Sequence, residues 1–269
     1  MDRSQLSLNT ITVRGLSIQE AVRAAAEHGL GGIAPWRDQL TDLSSHRVAR
    51  MISDADLRVT SLCRGGMFTA PDAAGRAAAI DENRVAIEEA AVLGADCLVL
   101  VCGPVVDKDV AGSWRMVQDG ISALIGDAAA AGVRLAIEPL HPMLAADRSV
   151  VCRLGDALDL ADAIDPSVGV IVDAYHVWWD ITLQDNLRRA GDRICGVHVS
   201  DWVSPLTGGL LSGRGMVGDG VIDLRGLVAD CRAAGYEGLI EVEILSDQWW
   251  ATAADVTVAT VVDRFERCL

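Results

Sequence analysis

Positive charge is scarce in this chain. Its 269 residues carry 23 lysines and arginines against 38 aspartates and glutamates, a formal net charge of −15. The basic residues form no cluster, so the electrostatic footprint of a nucleic-acid-binding protein is missing. Acidity favours solubility and leaves a small polar substrate open. Long hydrophobic runs are missing too. None approaches the roughly 18 residues of a membrane helix, which argues against a membrane partner. The N-terminal MDRSQLSLNTITV lacks the basic start, apolar core and cleavage site of a secretory signal, so the expected location is the cytoplasm. The seven cysteines, at 63, 97, 102, 152, 195, 231 and 268, are odd in number and include no CxxC. They read as reduced thiols of a cytoplasmic protein. Cys97 and Cys102 share an apolar run and suit a core better than a zinc pair. No GxGxxG or P-loop follows the first apolar segment, which removes support for a nucleotide-binding sheet. There is no linker or low-complexity tract, so one domain spanning 1–269 is expected.

What is there is a regular alternation. The composition is 51% hydrophobic, enough for a large core. Apolar runs at 6–12, 31–36, 57–63, 97–102, 134–139, 168–176, 194–201 and 238–245 read as strands. Their nearly continuous apolar character fits strands covered on both faces, as in a parallel sheet. Amphipathic stretches at 17–29, 78–94, 114–132 and 225–235 read as intervening helices, several stopped by glycine. Eight strand–helix units in about 270 residues match a single α/β (β/α)8 TIM barrel. A doubly wound sheet is the runner-up.

In such a barrel, chemistry gathers at the C-terminal ends of the strands. The fifth expected strand ends in Glu138 and the sixth in Asp173, with His176 three residues on. The seventh carries His198 and Asp201, and the eighth Glu241 and Glu243. Alone, each has an ordinary explanation: an Asp caps the next helix, a His satisfies the core, a Glu forms an ion pair. Together, carboxylates and an imidazole on four neighbouring strands would be costly to bury without a cation. The mixed donor set suits one divalent metal ion, Mn²⁺, Mg²⁺, Zn²⁺ or Co²⁺. Glu241 and Glu243 face the same side of their strand, and Glu243 lies nearer its C-terminal end. Six of the seven tryptophans fall at or just beyond strand ends. Trp36 and Trp178 among them offer flat apolar rings to a sugar's C–H faces, or else pack loops and subunits. Exposed indoles would fit a homo-oligomer, a dimer or tetramer. Arg64 and Arg37 follow strand ends and could reach the mouth or pair on the surface.

The segments AIEPLHP, VDAYH, VHVSDW, GRGMVGDGVIDL and EVEI resemble the xylose-isomerase-like barrel superfamily of sugar isomerases and epimerases. The likeness runs over essentially the whole chain, nearest to the inosose isomerase, hydroxypyruvate isomerase and ketose 3-epimerase branches. It implies metal ligands at Glu138, Asp173, His198 and Glu243, choosing Glu243 over Glu241. It implies substrate contacts at His176 and Arg214. His141 after EPL resembles the inosose isomerase pattern, while Leu144 stands where ketose 3-epimerases carry a further Glu. The superfamily's DNA-repair endonucleases need extra histidines on earlier strands. Here the second to fourth strands end in Trp36, Cys63 and Cys102.

The implied reaction is proton transfer at a carbon beside a carbonyl. A metal holding carbonyl and hydroxyl oxygens would stabilise the developing enediolate. Glu138 and Glu243 would act as bases, His176 and His141 would bond substrate hydroxyls, and Arg214 would bind an oxygen-rich end. The expected substrate is a small polyol or keto-sugar, an inosose or a hydroxy-ketone. Loss of hydroxide from the same enediolate would make the enzyme a dehydratase. A non-catalytic accessory barrel is the reading from another class.

Overall fold

The computed structural model describes residues 1–40, 43–206 and 208–269. Nine parallel strands form one sheet: β1 (Leu6–Asn9), β2 (Gly32–Ala34), β3 (Arg58–Val59), β4 (Leu62–Gly66), β5 (Leu98–Val101), β6 (Leu135–Ile137), β7 (Gly169–Asp173), β8 (Ile194–Val199) and β11 (Ile240–Val242). Between the last two lies a short antiparallel pair, β9 (Asp201–Trp202) and β10 (Arg214–Gly215). The helices are α1 (Ile18–Glu27), α2 (Ser45–Asp54), α3 (Ala73–Leu93), α4 (Val110–Ser122), α5 (Ile125–Ala131), α6 (Leu154–Ile164), α7 (Ala174–Val177), α8 (Leu183–Ala190), α9 (Leu224–Ala233), α10 (Asp247–Trp250) and α11 (Ala254–Cys268). Among the described residues no helix is long and apolar enough to cross a membrane.

The sheet order is β3-β2-β1-β11-β8-β7-β6-β5-β4. Its two ends, β3 and β4, are halves of one stave separated by Thr60 and Ser61. A parallel bridge between Trp36 and Cys63 joins the β2 side to β4 and closes the barrel at eight staves. Every residue of β1, β2, β5, β6 and β7 is buried, so these strands show no in–out alternation. That is the expected pattern for a sheet with helices outside and packed side chains inside. Alternate residues serve the two sides. Leu98 and Leu100 join the large core under the helices, whereas Cys97 and Val99 join Cys63, Ala136 and Ile171 in a small separate cluster with Trp36. This second cluster floors the polar mouth.

The expected strands are longer than the observed ones, for local reasons. The 6–12 run stops at Asn9, whose side chain accepts the Ile11 N–H at 3.1 Å and starts a 3-10 turn. The 168–176 run stops at Asp173, which caps α7 by accepting the Tyr175 N–H at 2.9 Å. The 57–63 run breaks at Thr60 and Ser61, whose hydroxyls turn to Glu241, and resumes as far as Gly66. Arg64 therefore belongs to a strand, not to a loop after it. Helix 17–29 starts where Ser17 and Glu20 form a capping box. The 114–132 stretch is two helices, and the second ends at left-handed Gly132 (φ 68°).

Gly66 holds the end of the third stave. Asn83 of α3 accepts its N–H at 2.6 Å and donates to its carbonyl at 2.8 Å. Its φ is +105°, and an added Cβ would lie 2.0 Å from the Val101 carbonyl oxygen. Gly66→Ala should cost more than about 2 kcal/mol, through strain and overlap together. Urea unfolding would read this as a lower midpoint at constant m. An unchanged midpoint would mean that the stave end is not constrained as described.

Candidate metal and active site

Register brings the candidate residues level. Asp173 on β7 is paired in register with His198 on β8, and His198 with Glu241 on β11. Glu138 follows β6, its N–H donating to the Leu100 carbonyl at 3.1 Å. Glu243 lies just past β11, its N–H donating to the Val199 carbonyl at 3.2 Å. Glu138, Asp173, His198 and Glu243 are all buried, and each offers a donor atom within 4.8 Å of the others.

Hydrogen bonding separates the two competing glutamates. Glu241 accepts from Asn9 Nδ2 at 2.7 Å, Thr60 Oγ1 at 2.9 Å and Ser61 Oγ at 3.0 Å. Its charge is fully engaged at depth. The Glu243 carboxylate reaches the cavity, accepting from Asn9 at 3.1 Å. His198 stands between these levels. Its Nε2 is 3.4 Å from Glu241 Oε1, and its Nδ1 is 3.6 Å from Glu138 Oε1 and 3.9 Å from Glu243 Oε2. Among the described residues neither ring nitrogen makes a hydrogen bond, nor does Glu138 Oε1. Buried polar atoms without partners are costly. These three converge where a cation would satisfy them, and the O/N donor set fits a divalent metal. Nδ1 is then the nitrogen placed to bind it, with Nε2–H directed at Glu241, a carboxylate–histidine–metal relay.

Arg214 enters the same centre. Its Nη1 donates to Asp173 Oδ2 at 2.8 Å and to Glu243 Oε2 at 2.9 Å, and its guanidinium lies over the Tyr175 ring. His176 limits this arrangement. Its Nδ1 accepts the His141 backbone N–H at 3.2 Å, so a neutral ring carries its proton on Nε2, 3.6 Å from Asp173 Oδ2. Arg214 Nη2, itself a donor, faces that same Nε2 at 3.1 Å. Two donors oppose each other there, and the guanidinium is held against this by Asp173, Glu243 and the Tyr175 ring.

Titration reflects the crowding. Burial pulls the His198 imidazole down, but Glu241 above all, with Glu138 and Glu243, lifts it to about 10. Burial raises Glu243 to about 8, with Glu138 and Asp173 adding to the rise against Arg214 and His198. Burial opposes ionisation of Asp173, yet Arg214 holds it below its ordinary value. Burial takes His176 down to about 3, which keeps it neutral.

An inner cavity of about 50 Å³ is lined by Trp36, Arg64, Glu138, His176, Arg214 and Glu243, with Arg148 among its other walls. It shares Trp36, Cys63 and Arg64 with an outer cavity of about 550 Å³. Two expected substrate contacts, His141 and Trp178, are not among the residues lining this inner cavity. The His141 ring packs against Trp179 and Trp202, and its Nδ1 accepts the Met143 N–H at 3.3 Å. Trp178 packs against Trp202. Their rings build an aromatic support behind the site, and His141 serves His176 through its backbone. Arg37 is held by Glu82 at 2.8 Å and Glu89 at 2.5 Å.

Sequence reasoning missed Asn9, Arg148 and the work of Asp201. Asp201 accepts backbone N–H groups from Trp202, Gly218 and Ile222, which pins the loop that carries Arg214. The signal for Asn9 was an amide at the end of the first strand. Arg148 follows no strand and left none.

Comparison with known proteins places this geometry. Residues 22–261 match the family model described as xylose isomerase-like TIM barrel. A 3-dehydroshikimate dehydratase of Pseudomonas aeruginosa PAO1 is 28% identical over 96% of this chain, and the chain spans about 40% of that protein. A crystal structure of a Sinorhizobium meliloti 1021 protein is 49% identical, covers 99% of both chains and superposes with a TM-score of 0.96. The IolI protein, solved with a bound zinc atom, is 20% identical over 98% of this chain and 99% of its own, with a TM-score of 0.82, a likeness of fold.

The two raised values set a pH dependence. Folded, metal-free protein holds protons at Glu243 and His198 more tightly than the unfolded chain does. Their stabilisation is complete below the ordinary values of 4.5 and 6.5, and is lost as pH rises through about 8 and about 10. Denaturant unfolding of metal-free protein from pH 6 to pH 10 should show falling stability, and Glu241→Gln should flatten the upper part. A flat or rising wild-type profile would contradict the assignment.

Proposed function

We propose that this chain, which belongs to the xylose isomerase-like TIM-barrel family, is a divalent-metal-dependent isomerase or epimerase of a small hydroxy-ketone, keto-sugar or inosose, working by proton transfer through an enediolate. The observation that carries this reading is the convergence of Glu138, Asp173, His198 and Glu243 at one buried point, with Glu138 and Glu243 also on the cavity wall. One ion held by these four residues, Mn²⁺, Mg²⁺, Zn²⁺ or Co²⁺, would supply Lewis-acid stabilisation of negative charge building on a substrate oxygen.

The chain's own groups do the rest. Glu138 or Glu243 takes the proton from the carbon beside the carbonyl. Both carboxylates line the inner cavity, which puts them within reach of a bound substrate. Return of the proton to the neighbouring carbon isomerises the substrate, and return from the opposite carboxylate to the same carbon epimerises it. His176 Nε2–H steadies Asp173. Arg214 binds substrate oxygen once it leaves the carboxylates. Trp36 and Leu140 keep water from the reacting face.

A second reading has support of its own. The dehydratase that matches 96% of this chain favours β-elimination on the same site. Proton removal is shared, and a hydroxyl then leaves the next carbon as water.

The test combines metal content with exchange. Protein purified without chelator should carry about one divalent ion per chain, lost in Glu243→Gln. In D₂O, inososes, keto-sugars and 3-dehydroshikimate would be screened for deuterium at the carbon beside the carbonyl. Glu138→Gln and Glu243→Gln should cut exchange by about 10³-fold or more while staying folded. Product that keeps its oxygens supports isomerisation, and loss of water supports the dehydratase. No ion after metal is added back, or exchange indifferent to both substitutions, would overturn the proposal.

A further inference from the structure

One neutral side chain joins the two competing glutamates. Asn9 is fully buried at the end of β1. That strand pairs with β11 so that Ser7 is level with Glu241 and Leu8 with Val242. The next step of this register sets Asn9 beside Glu243. Asn9 Oδ1 accepts the Ile11 N–H at 3.1 Å. This bond fixes which end of the amide points where, because an NH₂ group turned towards Ile11 would oppose a donor with a donor. Nδ2 is left facing the glutamates, 2.7 Å from Glu241 Oε1 and 3.1 Å from Glu243 Oε1. An amide nitrogen carries a hydrogen for each of them.

The two oxygens of Glu243 thereby become unequal. Oε1 is taken by Asn9, with the Cys63 thiol 4.0 Å from the same oxygen. Oε2 is the oxygen near the other candidate ligands. It lies 3.9 Å from His198 Nδ1, and it shares Arg214 Nη1 with Asp173 Oδ2. The residue type at position 9 matters as much as its place. An amide donates to both carboxylates without adding charge. A lysine or arginine there would compete with a cation for them, and an aspartate would repel them. Asn9 holds two buried carboxylates side by side and leaves their negative charge to the site.

We propose that Asn9 is a positioning residue that makes Glu243 a one-oxygen ligand, holding Oε1 so that Oε2 alone is offered to the divalent ion. This rests on the metal-dependent reading of the site and deepens it. A carboxylate gripping the ion with both oxygens would use a place that a substrate oxygen needs. Glu138, Asp173, His198 and Glu243, each giving one atom, leave an octahedral ion open on the substrate side.

Crystals of Mn²⁺-loaded wild type, N9L and N9S test this, with metal content and melting measured for each. N9L keeps the bulk and removes the donor. N9S keeps an oxygen able to accept the Ile11 N–H, and its side chain is too short to reach both glutamates, so it decides alone should N9L fold poorly. In wild type, Glu243 Oε2 should lie within about 2.0–2.3 Å of Mn²⁺ while Oε1 stays on Asn9. In the variants Oε1 should turn onto the ion as well. Water-proton relaxation reads the same change in solution. Its enhancement by bound Mn²⁺ should fall by about half in the variants, as Oε1 takes one of the places that water holds in wild type. Glu243 bound through both oxygens in wild type, or through Oε2 alone in the variants, would overturn the role of Asn9 and leave the metal centre standing. No Mn²⁺ bound to wild type would overturn the metal-dependent reading, and this proposal with it.

Discussion

Glu138, Asp173, Glu241 and Glu243 are all buried at the same end of one barrel, and the electrostatic problem this creates organises the mouth. Carboxylates so placed repel one another in a medium that screens poorly. The chain answers at two levels. Low in the barrel, Glu241 is satisfied by hydrogen bonds from Asn9, Thr60 and Ser61. Higher up, Glu138, Asp173 and Glu243 crowd around His198 and Arg214. The lower level is closed, and the upper level has donor atoms to spare.

That difference explains several local oddities. The third stave breaks at the two residues whose hydroxyls donate to Glu241. Among the described residues, nothing hydrogen-bonds either ring nitrogen of His198, although it is fully buried. Arg214 lies across two carboxylates while pressing a donor against the Nε2 of His176. Each of these is a poor arrangement for stability alone and a sensible one for a site that exchanges cations. The family to which the chain belongs is that of xylose isomerase-like TIM barrels.

Much of this was legible in the sequence because register is periodic. Once a parallel barrel is inferred from unbroken apolar runs, Asp173, His198 and the β11 glutamates must come level at the strand ends. Strand boundaries were less legible. Asn9 and Asp173 end their strands by capping, a side-chain choice that apolar patterning does not encode. The ring directions of His141 and Trp178 were not legible for a related reason. Position after a strand end says that a residue is near the mouth, not which way its ring turns, and both rings turn towards Trp202. Arg148 lies in the loop between β6 and α6, where neither period nor motif marks it.

The central claim is that the upper carboxylates and His198 form one cation site, two of whose carboxylates also pair with Arg214. Anomalous diffraction from crystals of Mn²⁺-loaded protein tests it most directly. The account predicts a single strong peak within about 2.0–2.3 Å of oxygens of Glu138, Asp173 and Glu243 and of His198 Nδ1. The Arg214 guanidinium should have left its place between Asp173 and Glu243. A peak elsewhere, or none, with Arg214 still bridging the two carboxylates, would contradict it.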